Sequence, residues 1–196
     1  MTLPLVLALI SGAASQPLLT AYRANTPPTI DGSLEDACWQ AASVASPFLS
    51  NAGAGLVGDQ TQARVCWDEA ALYVGIEALE GLLDPRLNML HLVRAEQTGR
   101  DAAVWTEDSV EVFLQPPGHA YYHFAANSGT GTYEAEGLRA PWNCEWQCVA
   151  TRGGKSYLVE MAIPLAALGG DPTGEWRLNL TRNRSFAKEL STWSGL

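Results

Sequence analysis

The chain has 196 residues, 47% of them hydrophobic and 17% charged, with a net charge of −9. That is enough apolar material for the core of one domain, and it excludes global disorder. The negative charge argues against nucleic acid and anionic membrane surfaces as partners, since both would repel the chain.

The first residues, MTLPLVLALISGAASQP, read as a targeting segment. Leu3 to Ile10 form an apolar run too short to span a bilayer, and Ser11 to Ala14 offer small residues for cleavage. No basic residue precedes the run, and Arg23 is the first in the chain. The expectation is a signal peptide over 1–16, one domain over 17–196, and a secreted or periplasmic location. No later stretch is long and apolar enough to be a transmembrane helix.

Downstream, NTPPTIDGSLEDACWQAAS reads as a turn at Asp31-Gly32 followed by a short helix. Ser33 is placed to cap that helix, and Asp36 is the acid of a capping box three residues on. Trp39 sits in an apolar context and is expected in the core, as is Trp67. TQARVCW (61–67) alternates, Asp68 to Ala71 turn the chain, and LYVGIEA (72–78) returns as a second strand. Residues 79–103 lack a strand pattern and leave room for a short helix.

The stretch VWTEDSVEVFLQPPG (104–118) carries a tryptophan and three carboxylates. Val110, Val112 and Leu114 fall on one face of an extended chain; Ser109, Glu111, Phe113 and Gln115 fall on the other. PPGHA then makes a hairpin to YYHFAAN (121–127), where Tyr122, Phe124 and Ala126 point inward and Tyr121, His123 and Asn127 outward. GTYEAEG, WQCVATR, SYLVEMAIPL and EWRLNLTRN follow at regular spacing. Seven or more strands with almost no long helix predict an all-β protein, an antiparallel β-sandwich with one or two short helices.

The four cysteines are Cys38, Cys66, Cys144 and Cys148. An exported chain could form two disulfides among them. Cys144 and Cys148 lack the second close pair or nearby histidine of a zinc site. Buried free thiols and a Cys38–Cys66 bridge are both open.

Taken in order, TIDGSLEDACW, ARVCWDEAALYVGIEA, WTEDSVEVFLQPPG, YYHFAANSGTG, and YLVEMAIPLAALGG followed by WRLNLTRN resemble the family 9 carbohydrate-binding modules and their relatives in the DOMON-like β-sandwich superfamily. The resemblance covers about residues 27–193. It implies a jelly-roll-like sandwich and a non-catalytic module of an exported protein, serving carbohydrate catabolism and binding oligo- or polysaccharide of the xylan or glucan type. No cofactor is expected, with a structural calcium ion left open. In such modules a sugar lies between two tryptophans, and a glutamate of the acidic strand binds its hydroxyls. Trp105 and Glu111 match that pair in spacing, and Trp193 is the candidate for the second aromatic wall. The family's arginine on the following strand is missing from YYHFAAN. Relatives usually continue beyond the equivalent of STWSGL, which implies an open sheet edge or a gap at the last strand.

Sugar rings present C–H patches that pack on a flat indole, and a carboxylate accepts hydrogen bonds from neighbouring hydroxyls. On a straight strand Trp105 and Glu111 would lie ~20 Å apart at ~3.3 Å per residue, too far for one sugar. The segment between them must therefore fold back. His123 and Asn127, on the outward parity, are candidate polar contacts. Trp142 and Trp146 are candidates for a second platform, and Asp108 for a turn or a calcium site. Glu160, in EMAIP, is read as structural. Two other function classes remain. Haem could draw on Met89, His91, His119 and His123, although no C-x-x-C-H site exists. A glycosidase could draw on Glu107, Asp108, Glu111, Glu134 and Glu136, which no motif pairs. The oligomeric state is not set by the sequence.

Overall fold

The computed structural model describes residues 17–53, 55–81, 93–139, 142–171 and 173–194. The expected signal peptide lies outside them, as does most of the helix considered within 79–103. Residues 93–98 run without regular structure.

The strands are β1 (Tyr22–Arg23), β2 (Val44–Ala45), β3 (Leu49–Ser50), β4 (Thr61–Trp67), β5 (Ala71–Leu79), β6 (Ser109–Gln115), β7 (Tyr122–Asn127), β8 (Thr132–Glu136), β9 (Gln147–Arg152), β10 (Ser156–Pro164), β11 (Arg177–Arg184) and β12 (Glu189–Thr192). Two short helices, α1 (Ala37–Ala41) and α2 (Leu165–Leu168), complete the described elements with a 3-10 turn at Val104–Thr106. One sheet has the order β1-β4-β5-β10-β9, with β2 also on β4; the other has the order β3-β12-β11-β6-β7-β8. Pairing is antiparallel except between β1 and β4. No helix among the described residues is long and apolar enough to cross a membrane.

The expected alternation sets which side chains the sheets bury against each other. Val110, Val112, Leu114, Tyr122, Phe124 and Ala126 all enter the main core, where they meet Val65, Val74, Ile76, Val159, Met161 and Ile163 of the opposite sheet. Burying each such large apolar side chain is worth about 1.5–3 kcal/mol. At one end β11 exchanges leucines for Arg182 and Arg184. Burial of these charges is tolerable because they are paired: Arg182 with Glu80 at 2.5 Å, and Arg184 with Asp59 at 2.5 Å and Glu80 at 3.1 Å.

The outer face of the first sheet is covered by the N-terminal segment. Trp39, fully buried, lies with Leu34 over Gly75, where a Cβ would come within 2.6 Å of Leu34 and 3.2 Å of the indole. The capping box expected from Ser33 does not form. Asp36 holds the N-cap position without a side-chain cap bond, and its carboxylate instead accepts from the Thr29 N–H at 2.9 Å. The Ser33 N–H donates to Asp31 and Glu160. A distant glutamate outcompetes local capping.

β12 pairs with β11 over its four residues and with β3 at Ser191 and Thr192, so the two-residue β3 forms that edge of the sheet.

Candidate functional site

The outer face of the second sheet carries the candidate residues, and its centre is built by register. Thr181 of β11 lies opposite Glu111 of β6, which lies opposite Ala125 of β7. Phe113 lies opposite His123 one step along. Across this direct pair the two rings stack at 4.2 Å and 13°. His123 Nε2 reaches Glu111 Oε2 at 2.7 Å.

Between Trp105 and Glu111 the chain passes through the 3-10 turn Val104–Thr106 before it enters β6. The Thr106 N–H and the Thr106 hydroxyl both bond the Ala103 carbonyl, and the Glu107 N–H bonds the Val104 carbonyl. Asn183 of β11 clamps the turn onto the sheet, its Nδ2 donating to the carbonyls of Trp105 at 2.7 Å and Glu107 at 2.8 Å. Trp105 is held 43% exposed and edge-on to Tyr133 of β8, with centroids 4.8 Å apart. Tyr133 in turn meets the His123 ring edge-on at 5.4 Å. Trp105, Tyr133, His123, Phe113 and Glu111 thus form one continuous group, although Trp105 and Glu111 start from a turn and a strand.

The other two carboxylates of the acidic stretch serve the scaffold. Glu107, 2% exposed, accepts from the N–H groups of Glu96 and Gln97 and from Asn127 Nδ2. Asp108 Oδ2 accepts from the Arg94 N–H and the Ser185 hydroxyl. Together they fasten residues 93–97 over the sheet.

Two expected site residues sit elsewhere. Asn127 has no exposure: its Oδ1 accepts from the Gly129 and Gly131 N–H groups, and its Nδ2 donates to the Gln97 carbonyl and Glu107. The loop fastened by Glu107 has covered the outward face at this row. Trp193 is 7% exposed and belongs to the core between the sheets, so it does not form a wall opposite Trp105. Its N–H bonds the Leu180 carbonyl, which carries the alternation of β12 one residue further and turns the indole inward.

Trp142 and Trp146 form no exposed platform. Trp142 packs on Tyr122 and Phe124; Trp146 packs on Phe124 and donates to Glu134 at 3.0 Å. Glu134 also pairs with Arg100, and it is fully buried on the core-facing side of β8, away from Glu111. Trp67 is half-buried against the core with the Arg23 guanidinium over its ring. Of the haem candidates, Met89 and His91 lie outside the described residues. His119 sits at the β6–β7 turn against Gly169, while His123 is engaged by Glu111. Among the described residues no three His, Cys, Asp or Glu side chains stand together as a metal site.

Sequence reasoning missed Phe113, Tyr133 and Asn183. Phe113 was legible as a neighbour of Glu111 on the same strand face. Tyr133 and Asn183 depend on the pairing of distant strands.

A sequence profile of carbohydrate family 9 binding domain-like proteins matches residues 30–183. No curated protein matches the chain. Among solved structures, a family 9 carbohydrate-binding module from Caldicellulosiruptor kristjanssonii in complex with cellotriose is 20% identical with a TM-score of 0.62, over 88% of this chain and 81% of that one. A family 9 module from the same organism in complex with glucose is 18% identical with a TM-score of 0.62, over 89% and 83%. A protein from Bacteroides uniformis is 17% identical with a TM-score of 0.60, over 80% and 79%. At these identities the likeness is one of fold.

Proposed function

The chain belongs to the carbohydrate family 9 binding domain-like family, and from that premise we propose that it is a non-catalytic module that binds a glucan- or xylan-type oligosaccharide on the outer face of the second sheet, in an exported protein serving carbohydrate catabolism. The family is one of binding domains rather than catalysts. The observation that carries the reading is the grouping of Trp105 with Glu111 and His123 by the 3-10 turn and the Asn183 clamp.

Each member has a distinct task. The exposed indole of Trp105 offers flat apolar area to the C–H face of a pyranose at small cost in side-chain entropy. Glu111 accepts from ligand hydroxyls through the capacity left beyond its bond to His123, and a hydrogen bond to a charged group is worth about 1.5–3 kcal/mol. His123, on the strand where the resemblance implies an arginine, uses Nε2 for Glu111 and keeps Nδ1 for a hydroxyl. Its ring cannot swing freely, because Phe113 lies flat against it and Tyr133 meets it edge-on. The relatives solved with cellotriose and glucose support a gluco-configured ligand. Export rests on the apolar run from Leu3 to Ile10.

Calorimetry against cello- and xylo-oligosaccharides tests the reading. The expected affinity is micromolar to millimolar, about −4 to −8 kcal/mol, as suits a small polar ligand on an open platform. Trp105→Ala should remove most of it and leave the fold intact. Absence of heat with every oligomer, from folded protein, would leave the family and the fold without this function.

A further inference from the structure

We propose that Cys38 and Cys66 are joined by a disulfide that staples the helix α1 to strand β4. Cys38, 5% exposed, lies on α1, and Cys66, with no exposure, lies on the outward parity of β4. Both belong to the small cluster of Ala24, Cys38, Trp39, Cys66, Ala71 and Tyr73 that forms beneath the N-terminal segment, separate from the core between the sheets. Each thiol is close enough to act on the titration of the other, and both pack in this one cluster. Both are free thiols in the structure, and a bond between them requires the loss of both hydrogens and closure of the sulfurs to about 2.05 Å.

The location gives the bond its purpose. α1 is five residues long, too short to be stable without tertiary support. Its attachment to the first sheet rests on Trp39, Glu160 and the packing around Cys66. A bridge across about 28 residues adds a covalent tie where the non-covalent ones are few.

The chemistry is a dithiol–disulfide exchange. A disulfide-bearing oxidant of the folding compartment takes the two electrons and two protons from Cys38 and Cys66. It leaves as two thiols, while one S–S bond forms in the protein and one breaks in the oxidant. Timing follows from burial. Desolvation raises the pKa of both thiols, that of Cys66 strongly, so the folded, reduced protein holds little of the reactive thiolate. The bond therefore forms as the chain folds, and once buried it is shielded from reductants.

The other two cysteines have different surroundings. Cys144 is in the main core beside Glu134 and Arg100, its thiol pushed up to about 11 by burial first and Glu134 second. Cys148 is half-buried on β9.

The test refolds the full chain in a glutathione redox buffer, then alkylates it in denaturant and maps the peptides by mass. The expected product carries two alkyl groups, on Cys144 and Cys148, with a Cys38–Cys66 cross-linked peptide. Reduction should lower the melting temperature by roughly 5–10 °C. The double variant Cys38→Ala/Cys66→Ala should melt alike with and without reductant. Four alkyl groups after oxidative refolding, or a bridge that uses Cys144 or Cys148, would overturn the assignment. A Cys38–Cys66 bond whose reduction leaves the melting temperature unmoved would overturn its role as a staple. If the double variant fails to fold, the peptide map of the unaltered chain still decides.

Discussion

Each sheet carries a glutamate near the middle of its outer face, and the molecule treats the two in opposite ways. Glu160, on β10, has no exposure. It accepts from the N–H groups of Asp31 at 2.9 Å, Gly32 at 2.6 Å and Ser33 at 3.2 Å, and from Trp39 Nε1 at 2.8 Å. Glu111, on β6, is 9% exposed and is bonded to His123. Residues 29–41 close over the first as a lid, whereas the turn carrying Trp105 stands beside the second without sealing it. A carboxylate that has filled its lone pairs with backbone donors organises structure. One that retains capacity, in a group that ends in an exposed indole, can accept a ligand. Chemistry and placement on the sheet are the same; the donors that the rest of the chain delivers are not.

The largest expected effect tests the covered side. Glu160→Ala leaves the Asp31 and Gly32 N–H groups and an indole N–H without their acceptor in a buried place, and should cost about 3–5 kcal/mol in a urea unfolding experiment. A loss below about 1 kcal/mol would mean that the lid is held by packing alone. Gly32 belongs to the same device. Its φ of +86° and the 2.2 Å that a Cβ would leave to Thr151 Cγ2 let the turn approach both the carboxylate and the strand.

On the open side the order of effects reverses. Glu111→Ala should change unfolding stability by less than about 1 kcal/mol, yet weaken oligosaccharide binding by about 1.5–3 kcal/mol, a ten- to hundredfold loss by calorimetry. Glu111→Gln should lose less, since the amide still accepts. If Glu111→Ala instead unfolds the protein as Glu160→Ala does, the contrast between the two faces disappears. Phe113→Ala is gentler again. It removes the ring stacked on His123 and frees the imidazole to rotate, so binding should fall by about 0.5–1.5 kcal/mol while Trp105 keeps its place.

The covered and open regions also differ in how far the sequence discloses them. Alternation alone identifies 61–67 and 109–115 as strands, because in those runs every second side chain enters the core. The two-residue strands β1, β2 and β3 have no period to read. Without β12, whose four residues ELST give little apolar signal, nothing marks Trp193 as inward. Asn127 has the right parity for solvent and is buried nonetheless, since Gln97 and Glu107 fold over it from about 20–30 residues away. The meeting of Trp105 with the Glu111 face needs Asn183, more than 70 residues downstream. Side-chain direction is local and legible; which loop covers which row is decided by pairings that no short window contains.

A third carboxylate sharpens the comparison through pH. Asp68, at the β4–β5 turn, accepts from the Ala70 and Ala71 N–H groups and from the Tyr73 hydroxyl. Partial burial alone would raise its pKa, but these donors together outweigh it and hold the carboxyl below the usual range. For Glu160 the balance is opposite: desolvation under the lid outweighs the donors and raises its pKa. The two must therefore move stability in opposite senses. A raised folded-state pKa means that the folded chain binds the proton more tightly than the unfolded one. Glu160's contribution is accordingly full below its unfolded value of 4.5 and is lost as pH rises through the folded value. A lowered folded-state pKa reverses the sign, so Asp68 contributes fully above 3.8 and loses that contribution as pH falls through its folded value. Melting temperatures between pH 3 and 7 for the unaltered chain, Glu160→Gln and Asp68→Asn separate the two. The advantage of the unaltered chain over Glu160→Gln should shrink as pH increases. Its advantage over Asp68→Asn should grow over the acid end of the range, by less than about 1 kcal/mol because solvent screens the turn. Parallel slopes for the two variants would mean that lid and turn hold their carboxylates in the same way, and that donor count does not separate the covered face from the rest.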